Sequence, residues 1–112
     1  MTRYKITDPA EQAVKPGDLP HPGDWIRHNA LKPRGLSVAE AARRIGINRV
    51  TLARLLDGHQ ALTRDVAYRL EALTGVSADL MIGLQQAYDV GQERELRARY
   101  AREIERVDLA VD

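Results

Sequence analysis

Cysteine and phenylalanine are absent from this 112-residue chain, and aromatic residues make up only 4% of it. Without cysteine there is no disulfide framework and no thiolate metal site, a composition that fits a reducing compartment. With one Trp and four Tyr, the core must be built mainly from Leu, Ile, Val and Ala, as in many helical proteins. Long apolar runs are missing too. Nothing approaches the ~20 residues of a membrane span, and the N-terminal MTRYKITDPAEQ has no apolar stretch of the secretory kind. A soluble, cytoplasmic protein with no membrane contact is expected. Signatures of catalysis are missing as well: there is no HExxH, P-loop, GxGxxG or GxSxG, and His21, His28 and His59 lie on separate segments without metal-ligand spacing. No enzyme activity, metal, cofactor or small-molecule substrate is therefore expected. The length suits one compact domain with tails and is too short for two ordinary ones.

An excess of one charge is also lacking, since the formal net charge is +1. The distribution says more than the sum. Between Arg34 and Arg54 stand five arginines (Arg34, Arg43, Arg44, Arg49, Arg54) and a single acid, Glu40. Residues 1–20 balance three basic against three acidic side chains, and residues 93–112 carry five Arg against six acids. A local basic face on a nearly neutral chain is what phosphate binding requires.

That face falls on the stretch LSVAEAARRIGINRVTLARLLDG, residues 36–58. Ser37 is placed to cap a helix, with Glu40 three residues on to complete a capping box. Val38, Ala41, Ala42 and Ile45 follow at helical spacing. Gly46 stops this helix, because glycine takes the left-handed cap conformation without a Cβ penalty. Asn48 then caps a second helix whose buried stripe is Leu52, Leu55 and Leu56, closed by Gly58. Helix, glycine turn, helix is the pattern of DNA readers that place the second helix in the major groove. On that helix Arg49, Val50, Ala53 and Arg54 look outward. An arginine at a helix N-terminus opposes the helix dipole. Reading guanine or pairing with phosphate would account for Arg49, and contact with a thymine methyl would account for an exposed Val50. Arg43 and Arg44 on the preceding helix suit phosphate contacts. Ser37 suits one as well, because an exposed helix N-terminus presents amides to phosphate oxygens. A protein-interaction module using the same helices without DNA is the competing reading, and the arginine cluster speaks against it.

The remaining chain reads as follows. Residues 1–20, broken by Pro9, Pro16 and Pro20, form an arm in which residues 3–7 could make a short strand. A first helix begins near Pro22, runs through Trp25, Ile26 and Leu31, and ends before Pro33; Trp25 is its core anchor. Thr63 caps a fourth helix carrying Val66, Ala67, Leu70 and Leu73, and Ser77 caps a fifth with the stripe Leu80, Leu84, Ala87 and Tyr88. Gly91 interrupts. A charged final segment over 93–112 carries the narrow seam Leu96, Tyr100, Ile104 and Val107, which suits docking along one line on its own domain or on a second subunit.

Taken together, HPGDWIRHNALKPRGLSVAEAARRIGINRVTLARLLDG and LTRDVAYRLEALTGVSADLMIGLQQAYDV resemble the HigA antitoxins, a branch of the phage-repressor (XRE-type) helix-turn-helix proteins. The resemblance covers residues 21 to about 92 and rests on HPG opening the first helix, GLS before the second, RLLDG ending the third and LQQAYD late in the fifth. It implies an all-α, compact five-helix bundle of the lambda-repressor type, here with an N-terminal arm (1–20), a DNA-binding domain (21–92) and a charged C-terminal helix or tail (93–112). It implies a homodimer on operator DNA that represses its own operon, and a partner, a HigB-type toxin of the RelE kind that cuts messenger RNA. A stand-alone regulator of the same fold with no toxin is the alternative. Carried over by position, Ser37 and Arg43 fall at phosphate-contact sites, and Asn48, Arg49, Val50, Thr51 and Arg54 at the recognition helix. Val38 stands where many phage-type repressors carry Gln, which shifts the expected recognition onto Arg49 and Arg54. Leu84, Tyr88, Leu96, Tyr100 and Ile104 are the candidate dimer surface.

Overall fold

The computed structural model describes residues 20–110, so the arm and its strand at 3–7 lie outside the described residues. What is described is all-α, five helices with no strand among the described residues. Helix α1 opens at Pro22–Ile26, widens into a π turn over Arg27–Leu31 and tightens into a 3-10 turn over Lys32–Arg34. It is followed by α2 (Val38–Ile45), α3 (Arg49–Leu56), α4 (Arg64–Thr74) and α5 (Ala78–Glu103).

The end of α1 differs from expectation. The helix passes through Pro33 and stops at Gly35, whose φ is 65°. Pro33 has no N–H to give to the carbonyl four residues back. The Arg34 guanidinium supplies donors instead, to the carbonyls of Asn29 (3.2 Å) and Ala30 (3.0 Å). Just before it, the Lys32 N–H reaches five residues back to the Arg27 carbonyl, which defines the wide turn.

One core unites all five helices. Ile26, Ala30 and Leu31 of α1 meet Ala41, Ala42 and Ile45 of α2, Leu52, Leu55 and Leu56 of α3, Ala67 and Leu70 of α4, and Ala78, Met81 and Ile82 of α5. Trp25 packs half-buried against this cluster. The tightest approach is at Gly23, where the first turn of α1 lies on the carbonyl end of α3; a Cβ there would sit 2.8 Å from the Leu56 oxygen and closer still to the Leu55 oxygen.

On α5 the buried face is not the expected one. Of the expected stripe, Leu84 and Tyr88 are half-buried at its edge while Leu80 and Ala87 are exposed, and the buried row is Ala78, Met81, Ile82, Gln85 and Gly91. A polar residue in that row disguised it. Gln85 is buried because its carbonyl oxygen accepts the Leu62 N–H at 2.8 Å while its amide donates to Asp89 at 2.8 Å, so neither polar end is left unpaired. Gly91 does not interrupt the helix either. It is buried mid-helix, and the helix runs 26 residues without a break. An interior glycine costs only about 1 kcal/mol. Beyond Gly91 every described residue is exposed, so the last three turns of α5 pack against nothing else in the described chain.

Candidate nucleic-acid interface

Local chemistry sets the two central helices. The Ser37 hydroxyl accepts the Glu40 N–H at 3.1 Å and so starts α2. At the other end Gly46 takes φ 75°, which lets the N–H groups of Gly46 and Ile47 both return to the Ala42 carbonyl at 3.0 Å. Asn48 turns the chain into α3, its side-chain Oδ1 accepting the Val50 N–H at 2.7 Å. The connection is thus Gly46, Ile47 and Asn48, and half-buried Ile47 anchors it to the core.

The turn aims α3 outward along one line. With Leu52, Leu55 and Leu56 buried, Val50 and Arg54, four residues apart, occupy the centre of the exposed face. Val50 is 65% exposed, a large apolar group given to solvent on an otherwise polar surface. Arg49, at the first turn, and Arg54 are both exposed, and neither has a carboxylate within ion-pairing reach among the described residues. Thr51 and Ala53 are half-buried at the flanks, so Ala53 contributes less to this face than expected. Asn48 is exposed but has committed its oxygen to the cap, leaving its amide N–H groups free to donate. Ser37 is exposed beside the N-terminus of α2.

Arg43 and Arg44 are in a different state. Glu40 does not close the expected capping box; its carboxylate turns along the helix instead. It accepts from Arg43 Nε at 3.1 Å and terminal nitrogen at 2.7 Å, and from Arg44 Nε at 2.6 Å. These hydrogen bonds hold the Glu40 carboxyl at a pKa of about 2, far below the usual carboxylate range, and raise that of Arg43. The spacings of three and four residues were legible in the sequence, but not that both arginines would win Glu40 away from the cap.

Two further contacts brace the motif. Arg27 of α1 donates to Asp57, just past α3, at 2.8 Å. His21 caps α1 by accepting the Gly23 N–H on Nδ1 at 2.9 Å, and its ring meets Tyr88 edge-on with centroids 5.0 Å apart. Burial pushes the His21 imidazole below its ordinary pKa, opposed by a hydrogen bond with the Gln60 backbone and by the charge of Asp89. No group of His, Asp and Glu that could hold a metal exists among the described residues, and no helix there is long and apolar enough to cross a membrane.

The candidate dimer residues fall into two groups. Leu84 and Tyr88 are half-buried on the bundle, and Tyr88 is engaged by His21. Leu96 (43% exposed), Tyr100 (43%) and Ile104 (64%) lie beyond the bundle. Of the opposite charges spaced four residues apart on this segment, Glu93–Arg97, Glu95–Arg99 and Arg99–Glu103, only the last comes within range, at 3.9 Å. The Arg99 guanidinium also lies 4.9 Å from the centre of the Tyr100 ring.

Comparison with known proteins agrees with this geometry. A family model described as helix-turn-helix matches residues 28–81. The HTH-type transcriptional regulator YddM of Escherichia coli (strain K12), named as uncharacterized, is 34% identical over 79 residues, covering 70% of this chain and 83% of that protein. Antitoxin HigA-1 of Vibrio cholerae is 29% identical over 72 residues, covering 64% of this chain and 68% of that one. Among solved structures, the Pseudomonas aeruginosa antitoxin HigA with the higBA promoter superimposes with a TM-score of 0.69 at 25% identity, covering 78% of this chain and 96% of that chain. With its capped helix pair, its glycine turn and these relatives, the chain belongs to the XRE-type helix-turn-helix family of DNA-binding regulators and antitoxins, in which the HigA proteins are found.

Proposed function

We propose that this chain binds operator DNA as a homodimer, represses its own operon and neutralises a HigB-type, messenger-cleaving toxin. The observation that carries the DNA reading is the outer face of α3: Arg49 and Arg54 without acidic partners among the described residues, around a 65% exposed Val50. Arginine is the side chain suited to the O6/N7 edge of guanine, and an exposed aliphatic group suits a thymine methyl. In this reading α3 enters the major groove, Asn48 and Thr51 flank it, and Ser37 and Arg43 of α2 meet the phosphates. A single eight-residue helix makes a small interface. Two copies on a pseudo-palindrome, with half-sites about one helical turn apart, give the contact area a specific site needs.

The toxin reading draws on the likeness to named HigA antitoxins. The likeness, at 34% identity, to a protein named only as an HTH-type transcriptional regulator supports the DNA-binding part alone, and the second reading is a regulator that acts without a toxin. Co-expression separates the two. If an adjacent gene encodes a small basic protein that arrests growth, this chain should restore growth and co-purify with it. Growth arrest that persists at full expression of this chain leaves the stand-alone regulator.

A further inference from the structure

We infer that Glu40 acts as an electrostatic brake on DNA binding, holding the guanidinium groups of Arg43 and Arg44 against the helix that would otherwise offer them to phosphate. The inference rests on the DNA reading above. With Ala41, Ala42 and Ile45 buried, the outer face of α2 consists of Ala39, Glu40, Arg43 and Arg44, and Glu40 stands between the two arginines. Both of its carboxylate oxygens are occupied: one takes Arg43 Nε, and the other takes an Arg43 terminal nitrogen and Arg44 Nε. The Nε and terminal nitrogen of Arg43 form the fork that grips a phosphate with two parallel hydrogen bonds. Here the fork is already closed on Glu40. The carboxylate also leaves a negative charge on the surface that would face the sugar–phosphate backbone, so two arginines contribute the net charge of one. All three side chains are at least one third exposed, so water and salt screen the cluster and it can open. Phosphate therefore competes with Glu40 for the same donors, and affinity is set by that competition.

The opposite role is also chemically definable: Glu40 could orient Arg43 and so strengthen its contact. The two roles differ in sign. The test compares wild type, Glu40→Gln, Arg43→Ala and the double variant in fluorescence anisotropy across a salt series. The probes are a duplex of about three helical turns from the DNA upstream of the coding sequence and a scrambled duplex of equal length. Glutamine keeps the length of the side chain and removes the charge, and the Ser37 cap is untouched because it takes the Glu40 backbone N–H. A brake predicts that Glu40→Gln tightens binding to both duplexes by roughly threefold to tenfold at low salt and steepens log K against log salt by about 0.9. It also predicts that Arg43→Ala costs more in the Glu40→Gln background than in wild type, a coupling that a change in folding stability alone would not produce. Unchanged or weaker binding by Glu40→Gln, with wild type binding normally, overturns the brake and leaves the DNA reading standing. Failure of wild type to bind either duplex at low salt removes both.

Discussion

Gly23 is where the fold is least forgiving, and its replacement by alanine gives a test with a definite sign. The first turn of α1 lies directly on the last carbonyls of α3. A Cβ on Gly23 would stand 2.8 Å from the Leu56 oxygen and 2.9 Å from its carbonyl carbon, and nearer still to the Leu55 oxygen. All three obstacles are backbone atoms, so no side chain can rotate away, and α1 must lift from α3. Forcing extra carbon into a packed site costs about 1–3 kcal/mol and sometimes more. Alanine recovers up to ~1 kcal/mol of helix propensity, which does not offset a backbone clash. With a backbone clash at the upper end of that cost and up to ~1 kcal/mol recovered, the expected net loss is about 2 kcal/mol. Gly83 on α5 is the matched control: it is exposed, helical, and a Cβ there meets nothing within 4 Å. Gly83→Ala should stabilise by about 0.5–1 kcal/mol. Urea unfolding at equal chain concentration, with the m-value checked for constancy, measures both. A Gly23→Ala protein as stable as wild type would refute the close approach of α1 to α3, and with it the way the helix pair is held.

Other consequences can be checked separately. His21 caps α1 in its neutral form and burial lowers its pKa, so between the folded and unfolded values the unfolded chain binds more protons. Its contribution is complete above 6.5 and is lost as pH falls below that value; unfolding midpoints on either side of neutrality should show the loss, and His21→Asn, which keeps an acceptor at the cap, should flatten it. Replacing Ser37 by alanine removes the N-cap of α2 and should cost ~1 kcal/mol in the same assay. If the exposed end of α5 joins two copies, Leu96→Ser with Tyr100→Ser should convert a dimer to a monomer in sedimentation; a dimer that persists moves the interface elsewhere, for instance to Leu84.

Local signals were legible in the sequence. Ser37, Asn48, Thr63 and Ser77 each cap the helix assigned to them, because a cap is decided within two or three residues of itself. The buried rows of α2 and α3 were legible for the same reason: both helices are short and their apolar spacing is clean. What failed depended on partners distant in sequence or in competition. Gln85 sits in the core because Leu62, 23 residues away, offers it an N–H, which left Leu80 and Ala87 of the expected α5 stripe exposed. Arg34 lets α1 continue through Pro33 by serving two carbonyls, a compensation invisible to a rule about proline. Glu40 had two legitimate targets, the cap and the arginines, and spacing alone does not rank them.

The central claim is that the outer face of α3 reads DNA, and the most direct measurement is the affinity of Arg49→Ala, Arg54→Ala and the double variant for the upstream duplex and its scrambled counterpart at fixed salt. Both side chains are exposed and free of ion pairs among the described residues, so the variants should fold and melt as wild type does. Removing an arginine that pairs with a base through two hydrogen bonds should cost roughly 1–3 kcal/mol of binding free energy. The double variant should therefore bind the upstream duplex no better than the scrambled one. Retention of wild-type preference for the upstream sequence by the double variant would contradict the account.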